Sequence, residues 1–467
     1  MTSEEVGVPG KKAPIGLQCT DPGSYPGSST RERRSPVGVH ADLLERHRAV
    51  IPPWVGLYYD EPISLVDGEG RHVVDAEGNR YLDFFGGILV TIAGHRVPRV
   101  VEAIKAQADR VLHTSTLYLM ESHIALAEQI AELSGIPDAK VFFANSGTEA
   151  NDTALMLATQ YRRSNQVLAV RGSYHGKSHS AIAVTGNAAW SGTTFSPFQV
   201  TYVHGGYKIR SPFGHLPDDR FIASCVDDLR DLLDIATAGN VAAMIAEPIQ
   251  GVGGFITPPD GLFGAMKEVL DQHGILFISD EVQTGWGRTG ENFWGYEAHG
   301  IVPDLLTFAK GLGNGMAIGG VVGRSEIMDC YPANAISTFG GNPMATMAGL
   351  ATLEVLLEDD LQSNAYKVGA QLRNGLDRLA LETEQITEVR GKGLMLGVEL
   401  SEPRTGKPDP ALTGAIMEEA KAEGLLIGKG GLYGNVLRIA PPLSLTEEEC
   451  EEGLAMLDTA FGRATGS

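Results

Sequence analysis

Two apolar runs in this chain each end in a side chain that can do chemistry. Ile275-Leu276-Phe277-Ile278-Ser279 runs into Asp280, and Leu305-Leu306-Thr307-Phe308-Ala309 runs into Lys310, with Gly311, Gly313 and Gly315 just beyond. Apolar runs of this length read as strands covered on both faces. A lysine at one strand end can bind an aldehyde cofactor as a Schiff base. An acid at another can pair with a pyridinium nitrogen. Together they meet the needs of pyridoxal phosphate chemistry.

Other segments supply the remaining parts of such a site. Val141-Phe142-Phe143-Ala144 leads through Asn145 into Ser146-Gly147-Thr148 and then a helical pattern. The start of that helix offers free N–H groups and the positive end of its dipole to a phosphate, and two hydroxyls add donors. Alone, the same residues also read as an ordinary N-cap. After the run Val167–Val170 come Tyr174, a candidate platform for a flat ring, and His175; a Tyr-His pair is also common loop packing. Glu247 ends the run Ala242–Ala246, and Pro248 and Gly251 shape the turn after it. An exposed strand-end carboxylate is the plainer reading. Alternation past Asp280 lets Val282 cover the ring face opposite Tyr174, while Gln283 can bond the cofactor's phenolic oxygen. Thr338 brings a hydroxyl to a turn-rich loop. Arg438, on the short run Val436–Ile439, suits bidentate carboxylate recognition, although a surface position is the commoner fate of an arginine.

The elements that must hold these residues follow from periodicity. Between 141 and about 325, short apolar runs alternate with helical patterns, which predicts a mostly parallel sheet with ligands at the carboxyl ends of its strands. Val73-Val74-Asp75 and Arg80–Phe84 flank Glu77-Gly78-Asn79, a hairpin signal. Helical spacing links Val100, Ile104, Ala108 and Val111, and also Ile124, Ala127, Ile130 and Leu133. After 345 the pattern becomes a helix over Met347–Leu357, an amphipathic stretch over 362–382, and strands at Gly393–Leu400 and Val436–Ile439. The expected organisation is a flexible tail over 1–36, the N-terminal part of a small domain over 37–90, a large cofactor domain over 91–345, and the rest of the small α+β domain over 346–467. Residues 1–36 hold five Pro, five Gly and five Ser, a composition that buries too little to offset its ordering entropy.

Bulk properties narrow the partners. The 467 residues carry a formal charge of −21, which argues against nucleic acid or an anionic membrane. No apolar run approaches the ~20 residues of a membrane span. Cys19, Cys225, Cys330 and Cys450 are widely separated, so reduced thiols are expected rather than a disulfide frame or a metal site. The tail has no apolar signal core and carries Glu4, Glu5, Asp21 and Glu32, so the cytoplasm is the expected compartment.

As a set, the segments resemble the class III aminotransferases from about residue 40 to the C-terminus. The motifs are Asn-Ser-Gly-Thr-Glu-Ala-Asn (145–151), Asp-Glu-Val-Gln-Thr-Gly-Trp-Gly-Arg-Thr-Gly (280–290), Ala-Lys-Gly-Leu-Gly-Asn-Gly (309–315) and Thr-Phe-Gly-Gly-Asn-Pro (338–343). Several motifs in the right order are far more specific than one. Within the class, Tyr81–Ile88, Asn292–Gly295, Val389–Met395 and Arg438–Pro441 resemble the alanine–glyoxylate aminotransferase 2 and ω-aminotransferase branch. The resemblance implies the type I pyridoxal phosphate fold, an α/β architecture with a mostly parallel seven-stranded sheet and a smaller α+β domain. It implies that Lys310 binds pyridoxal 5′-phosphate covalently, that Asp280 pairs with the ring nitrogen, that Ser146, Gly147 and Thr148 hold the phosphate, and that Tyr174 stacks on the ring. It implies further that Arg438 binds the substrate carboxylate, and that Glu247 pairs with that arginine when a substrate lacks one. Thr338 resembles a residue that reaches the neighbouring subunit's phosphate, which implies a homodimer or a tetramer built from it.

The expected reaction is ping-pong transamination, a transfer of a nitrogenous group from an amino acid or ω-amine of the alanine, β-alanine or 3-aminoisobutyrate type to pyruvate or glyoxylate. Lys177 stands where the 4-aminobutyrate and ornithine enzymes carry arginine. Lysine lacks the planar fork, which weakens the case for 4-aminobutyrate and 2-oxoglutarate as substrates. A lyase acting on amino-alcohol phosphates is the same-fold rival, and Lys177 could serve its phosphate. Trp54, Tyr58 and Tyr59 are candidates for the pocket mouth, or simply core packing.

Overall fold

The computed structural model describes residues 37–193 and 195–466. The expectation of a flexible tail over 1–36 lies outside the described residues, as does Cys19. Two units are distinct, one ending at Pro52 and one spanning Pro53–Ser467. The described part of the first is the helix Val37–Val50, with His47 and Arg48 in its last turn, where positive charge complements the helix dipole.

The second unit is organised by a seven-stranded sheet. In spatial order its strands are Ala139–Ala144, Gly319–Arg324, Leu305–Phe308, Leu276–Asp280, Ala243–Ala246, Gln166–Val170 and Gln199–Val203. Gly319–Arg324 pairs antiparallel with both neighbours, and the other pairings are parallel. The strands Ala243–Ala246, Leu276–Asp280 and Leu305–Phe308 are buried throughout, because helices cover both faces. The helix Gly147–Arg162 turns Ala150, Ala154, Leu155 and Ala158 inward, where they share a core with Ile245, Ile278, Leu305 and Val321.

Two strands of this sheet have no clear signature in the sequence. Gln199–Val203 is an edge strand, exposed or half-buried over most of its length, so it needs no apolar run. Gly319–Arg324 begins with two glycines. A Cβ at Gly320 would come within 2.5 Å of the Phe142 carbonyl oxygen and 2.6 Å of the Phe308 ring. Close packing there requires the residue type that weakens a strand signal.

Two antiparallel-rich sheets complete the unit. The expected hairpin pairs His72–Asp75 with Arg80–Asp83. Its turn is tied by Asp75, which accepts from the Glu77 and Asn79 backbone N–H groups and from the Tyr81 hydroxyl. Leu425–Leu426 joins this sheet beside Arg80–Asp83. The other sheet runs Ile386–Lys392, Met395–Leu400, Val436–Ile439, Gly428–Gly430, and it places Arg438 on an inner strand. Some boundaries differ from expectation: the helix expected over Met347–Leu357 runs Pro343–Glu358. The helix Pro98–Ala108 stops before Val111. The strand expected from Gly393 starts at Met395, because Gly393 turns at φ 53°. Cys225, Cys330 and Cys450 are free thiols. Among the described residues no helix is long and apolar enough to cross a membrane.

Directly behind the sheet's carboxyl edge, Glu281 organises the segment up to Tyr296. Its carboxylate accepts from the Ser279 hydroxyl (3.0 Å), the Thr284 hydroxyl (2.5 Å) and the backbone N–H groups of Gly295 (2.9 Å) and Tyr296 (2.8 Å). Burial pushes this carboxyl up to about 7, opposed by those four donors. An amide there would turn its NH₂ toward groups that also donate. Glu281→Gln is therefore expected to destabilise the apoprotein by about 1–3 kcal/mol, read as a lower denaturant midpoint at pH 8; an unchanged midpoint would show that the four donors find other acceptors.

Candidate active site

The carboxyl ends of five parallel strands open on one cavity of about 340 Å³, within the roughly 300–1,000 Å³ range of small-molecule sites. Ser146, Gly147, Thr148, Tyr174, His175, Glu247, Asp280, Val282, Gln283 and Lys310 all line it. The sheet explains the convergence: Asp280 lies in register with Thr307 on the adjacent strand, and Lys310 follows three residues later.

Lys310 opens a short 3₁₀ turn after its strand and takes φ 44°. That left-handed conformation costs a non-glycine residue about 1–3 kcal/mol and is characteristic of functional positions. Burial lowers its ammonium to about 8, Asp280 and Glu247 oppose that shift, and Arg438 adds to it. Asp280 is 3% exposed. Its Oδ2 accepts from Asn151 Nδ2 at 2.7 Å and lies 2.8 Å from His175 Nδ1; its Oδ1 accepts from the Val282 N–H at 3.1 Å. The acid is thus a braced group rather than a strand-end charge in solvent.

The anion-binding wall is the start of the helix Gly147–Arg162. Ser146 is its N-cap, accepting from the Glu149 N–H at 3.2 Å. The cap uses one donor of that turn and leaves others for an anion. Gly176, at φ 135°, lets the chain pass Thr148; a Cβ there would meet the Thr148 hydroxyl oxygen at 2.5 Å. Tyr174 stands against the edge of Trp190 with ring centroids 5.3 Å apart. Burial raises its phenol, and Glu247 and Asp280 raise it further, which suits a neutral packing face.

Glu247 and Arg438 are placed separately. Glu247 accepts from the backbone N–H groups of Tyr174 and Gly251, both at 2.8 Å, and burial pushes its carboxyl up to about 7. Arg438 is 3% exposed and does not line the cavity. It donates to the carbonyls of Lys429 (3.0 Å) and Gly251 (3.4 Å) and to the Tyr58 hydroxyl (2.8 Å), and its guanidinium lies over the rings of Phe85 and Phe255. The two side chains form no ion pair with each other; Gly251 stands between them, bonded to both. Lys177 is exposed and outside the cavity. Trp54 is 77% exposed, and Thr338 stands on an exposed loop away from the cavity. Tyr59 bonds the Ile427 backbone. Of the three aromatic residues considered for the mouth, Tyr58 alone contacts a predicted site residue.

Several lining residues carry no signal of their own in the sequence, namely Val90, Asn145, Asn151 and Met316. Asn151 could have been found as the lone large polar residue on an alanine-rich helix face. Val90 comes from a distant segment and has no such mark.

Two residues that line the cavity, His175 and Gln283, each keep a buried polar atom, Nε2 and Oε1, without a partner. Buried polar atoms are normally bonded, so a polar ligand fits here. Pyridoxal phosphate matches the set: a helix N-terminus for its phosphate, an acid for its ring nitrogen, an aromatic face, an amide and an amine.

Comparison with known proteins gives concordant results. The family model described as Aminotransferase class-III matches residues 58–461. The alanine–glyoxylate aminotransferase 2 homolog 2 of Arabidopsis thaliana, named as mitochondrial, is 42% identical over 433 residues, covering 91% of this chain and 88% of that protein. An alanine/serine racemase of Pyrococcus horikoshii is 36% identical over 428 residues, covering 90% of each. Among solved structures, an amine transaminase from an uncultivated Pseudomonas species, in its PLP-bound form, aligns with a TM-score of 0.83 at 32% identity, covering 88% of this chain and 98% of that one.

The lowered Lys310 ammonium has a measurable consequence. Only the neutral amine attacks an aldehyde, so covalent uptake of pyridoxal phosphate by the apoprotein should accelerate as pH rises through about 8 and level off above it. Stopped-flow absorbance between pH 6 and 10 measures this; a rate still climbing at pH 10 would mean that the amine is not depressed.

Proposed function

The chain belongs to the class III aminotransferases, and on that premise we propose that it moves an amino group from an amino acid or ω-amine of the alanine, β-alanine or 3-aminoisobutyrate type to pyruvate or glyoxylate. It is a pyridoxal-phosphate-dependent transaminase, with an amino donor and an oxo-acid acceptor as substrates. The observation that carries the assignment of residues is the convergence of Lys310 and Asp280 in one cavity from adjacent strands.

In this reading Ser146, Gly147 and Thr148 hold the cofactor phosphate, Tyr174 and Val282 flank its ring, Gln283 bonds its phenolic oxygen and Lys310 binds it covalently. When bound, the cofactor supplies the electron sink that makes the donor's Cα–H acidic. Lys310 Nζ takes that proton and later returns one. A group titrating near 8 is populated in both forms close to neutrality, as a proton shuttle must be. Asp280, held by Asn151, His175 and the Val282 N–H, would pair with the cofactor's ring nitrogen and favour its protonated form. Arg438 receives the substrate carboxylate with the N–H groups left over from Tyr58 and the two carbonyls. Glu247, already satisfied by two backbone donors, can leave Arg438 free for that task.

Rival chemistries make different demands. A phospho-lyase needs a second cationic pocket, and Lys177, the residue considered for it, is exposed and outside the cavity lining. Preference for 4-aminobutyrate and 2-oxoglutarate is disfavoured by lysine at position 177. Racemisation, the activity in the Pyrococcus relative's name, would leave the amino group in place. We propose in addition that two copies associate, with Thr338 of each completing the other's phosphate site, and that the enzyme works in the cytoplasm.

One assay separates the chemistries. Incubation with candidate donors and pyruvate, glyoxylate or 2-oxoglutarate should yield new amino acid with pyruvate or glyoxylate; phosphate release or D-amino acid alone would overturn the reading. Lys310→Ala should abolish turnover and the cofactor's shifted visible absorbance together, and retained turnover would refute the assignment. Arg438→Leu should raise the oxo-acid KM about ten- to a hundredfold, measured in steady-state kinetics, with little effect on turnover of an amine lacking a carboxylate.

A further inference from the structure

Asn151 is 1% exposed and Thr307 is fully buried, yet both are polar, and their bonds lead to one place. Asn151 Nδ2 donates to Asp280 Oδ2 at 2.7 Å and to the His175 carbonyl oxygen at 2.8 Å. Both N–H bonds of the amide are therefore used. Asn151 Oδ1 accepts from the Thr307 hydroxyl at 2.7 Å. Thr307 stands on the strand beside Asp280, directly across from it in register.

This arrangement fixes which way the amide faces. A carboxamide turned end for end would set its oxygen against two acceptors, the carboxylate and the His175 carbonyl, and its NH₂ against the hydroxyl. The two acceptors therefore fix the orientation, and the Thr307 hydroxyl supplies the donor that the amide oxygen then needs. Asp280 is held in consequence: Oδ2 has two partners, while Oδ1 takes the Val282 N–H and keeps an open lone pair. His175 is held twice, by its ring against Asp280 and by its carbonyl on Asn151.

We propose that Asn151 and Thr307 are positioning residues for the ring-nitrogen acid: the threonine hydroxyl anchors the amide oxygen, and the amide holds Asp280 with its free lone pair toward the cofactor. The proposal rests on the assignment of Asp280 to the ring nitrogen. The charged or titratable groups around Asp280 are His175 in contact, then Tyr174, Glu247 and Lys310; Arg438 acts on Lys310 from further off.

Three variants test it in the reconstituted holoenzyme. Thr307→Val keeps the shape and removes the donor. Asn151→Asp keeps the shape and sets a second carboxylate against the first, and two such groups cannot both stay ionised. Thr307→Ser keeps the hydroxyl. For Thr307→Val and Asn151→Asp we expect kcat to fall about ten- to a hundredfold with KM nearly constant. The pH midpoint of the cofactor's visible band should move by about half a unit or more, a shift that lowered stability alone would not produce. Thr307→Ser should restore the wild-type midpoint. If Thr307→Val does not fold, Asn151→Asp and Thr307→Ser carry the comparison. Wild-type midpoints and kcat in both altered variants would overturn the proposal, as would an equal loss in Thr307→Ser. A wild-type protein that shows no cofactor band would refute the Asp280 assignment instead, and the clamp with it.

Discussion

The site of the second unit depends on holding a carboxyl group at the end of a fully buried strand. A carboxylate out of water is tolerated only when donors replace the lost solvation. Asp280 has three such partners, and each comes from a different part of the sheet's edge: the helix after the first strand, the loop after Gln166–Val170, and its own turn. The same edge brings in Lys310 in a left-handed conformation. Acid, amine and anion-binding helix are thus consequences of one geometric fact, that parallel strands finish side by side.

The chemistry-bearing ends of this arrangement were legible in the sequence, for a physical reason. Strands buried on both faces must be almost wholly apolar, so a polar residue terminating one is conspicuous. Asp280, Glu247 and Lys310 stand out in this way, and Ser146-Gly147-Thr148 stands out by opening a helix. Thr307 does not, and Asn151 is marked only as a polar residue on an alanine-rich helix face; their partners lie on other elements, 129 and 156 residues away for Asn151, and no local pattern encodes such contacts. The strand Gly319–Arg324 escaped notice for the opposite reason: tight packing asks for glycine, which reads as a turn. Arg438 was identifiable by type, but its setting between two aromatic faces was not.

That setting bears on the proposal that one pocket takes substrates with and without a carboxylate. An arginine with mobile attachments can swing away when a carboxylate is absent. Arg438 instead has two backbone carbonyls, a phenol and two rings as neighbours, which favours a receptor already in place over one assembled by the substrate. Pre-organisation of this kind lowers the ordering cost of binding.

Gly251 adds an electrical connection to that picture. Its N–H serves Glu247, whose carboxyl titrates near 7, and its carbonyl serves Arg438. A single residue therefore joins a proton-binding group to the arginine proposed to receive an anion. Linkage is reciprocal: to the extent that a bound carboxylate pulls on Arg438 and alters proton affinity at Glu247, the proton alters affinity for the carboxylate by the same factor. The ambient proton concentration is in that sense a third ligand of the pocket, felt through one peptide segment.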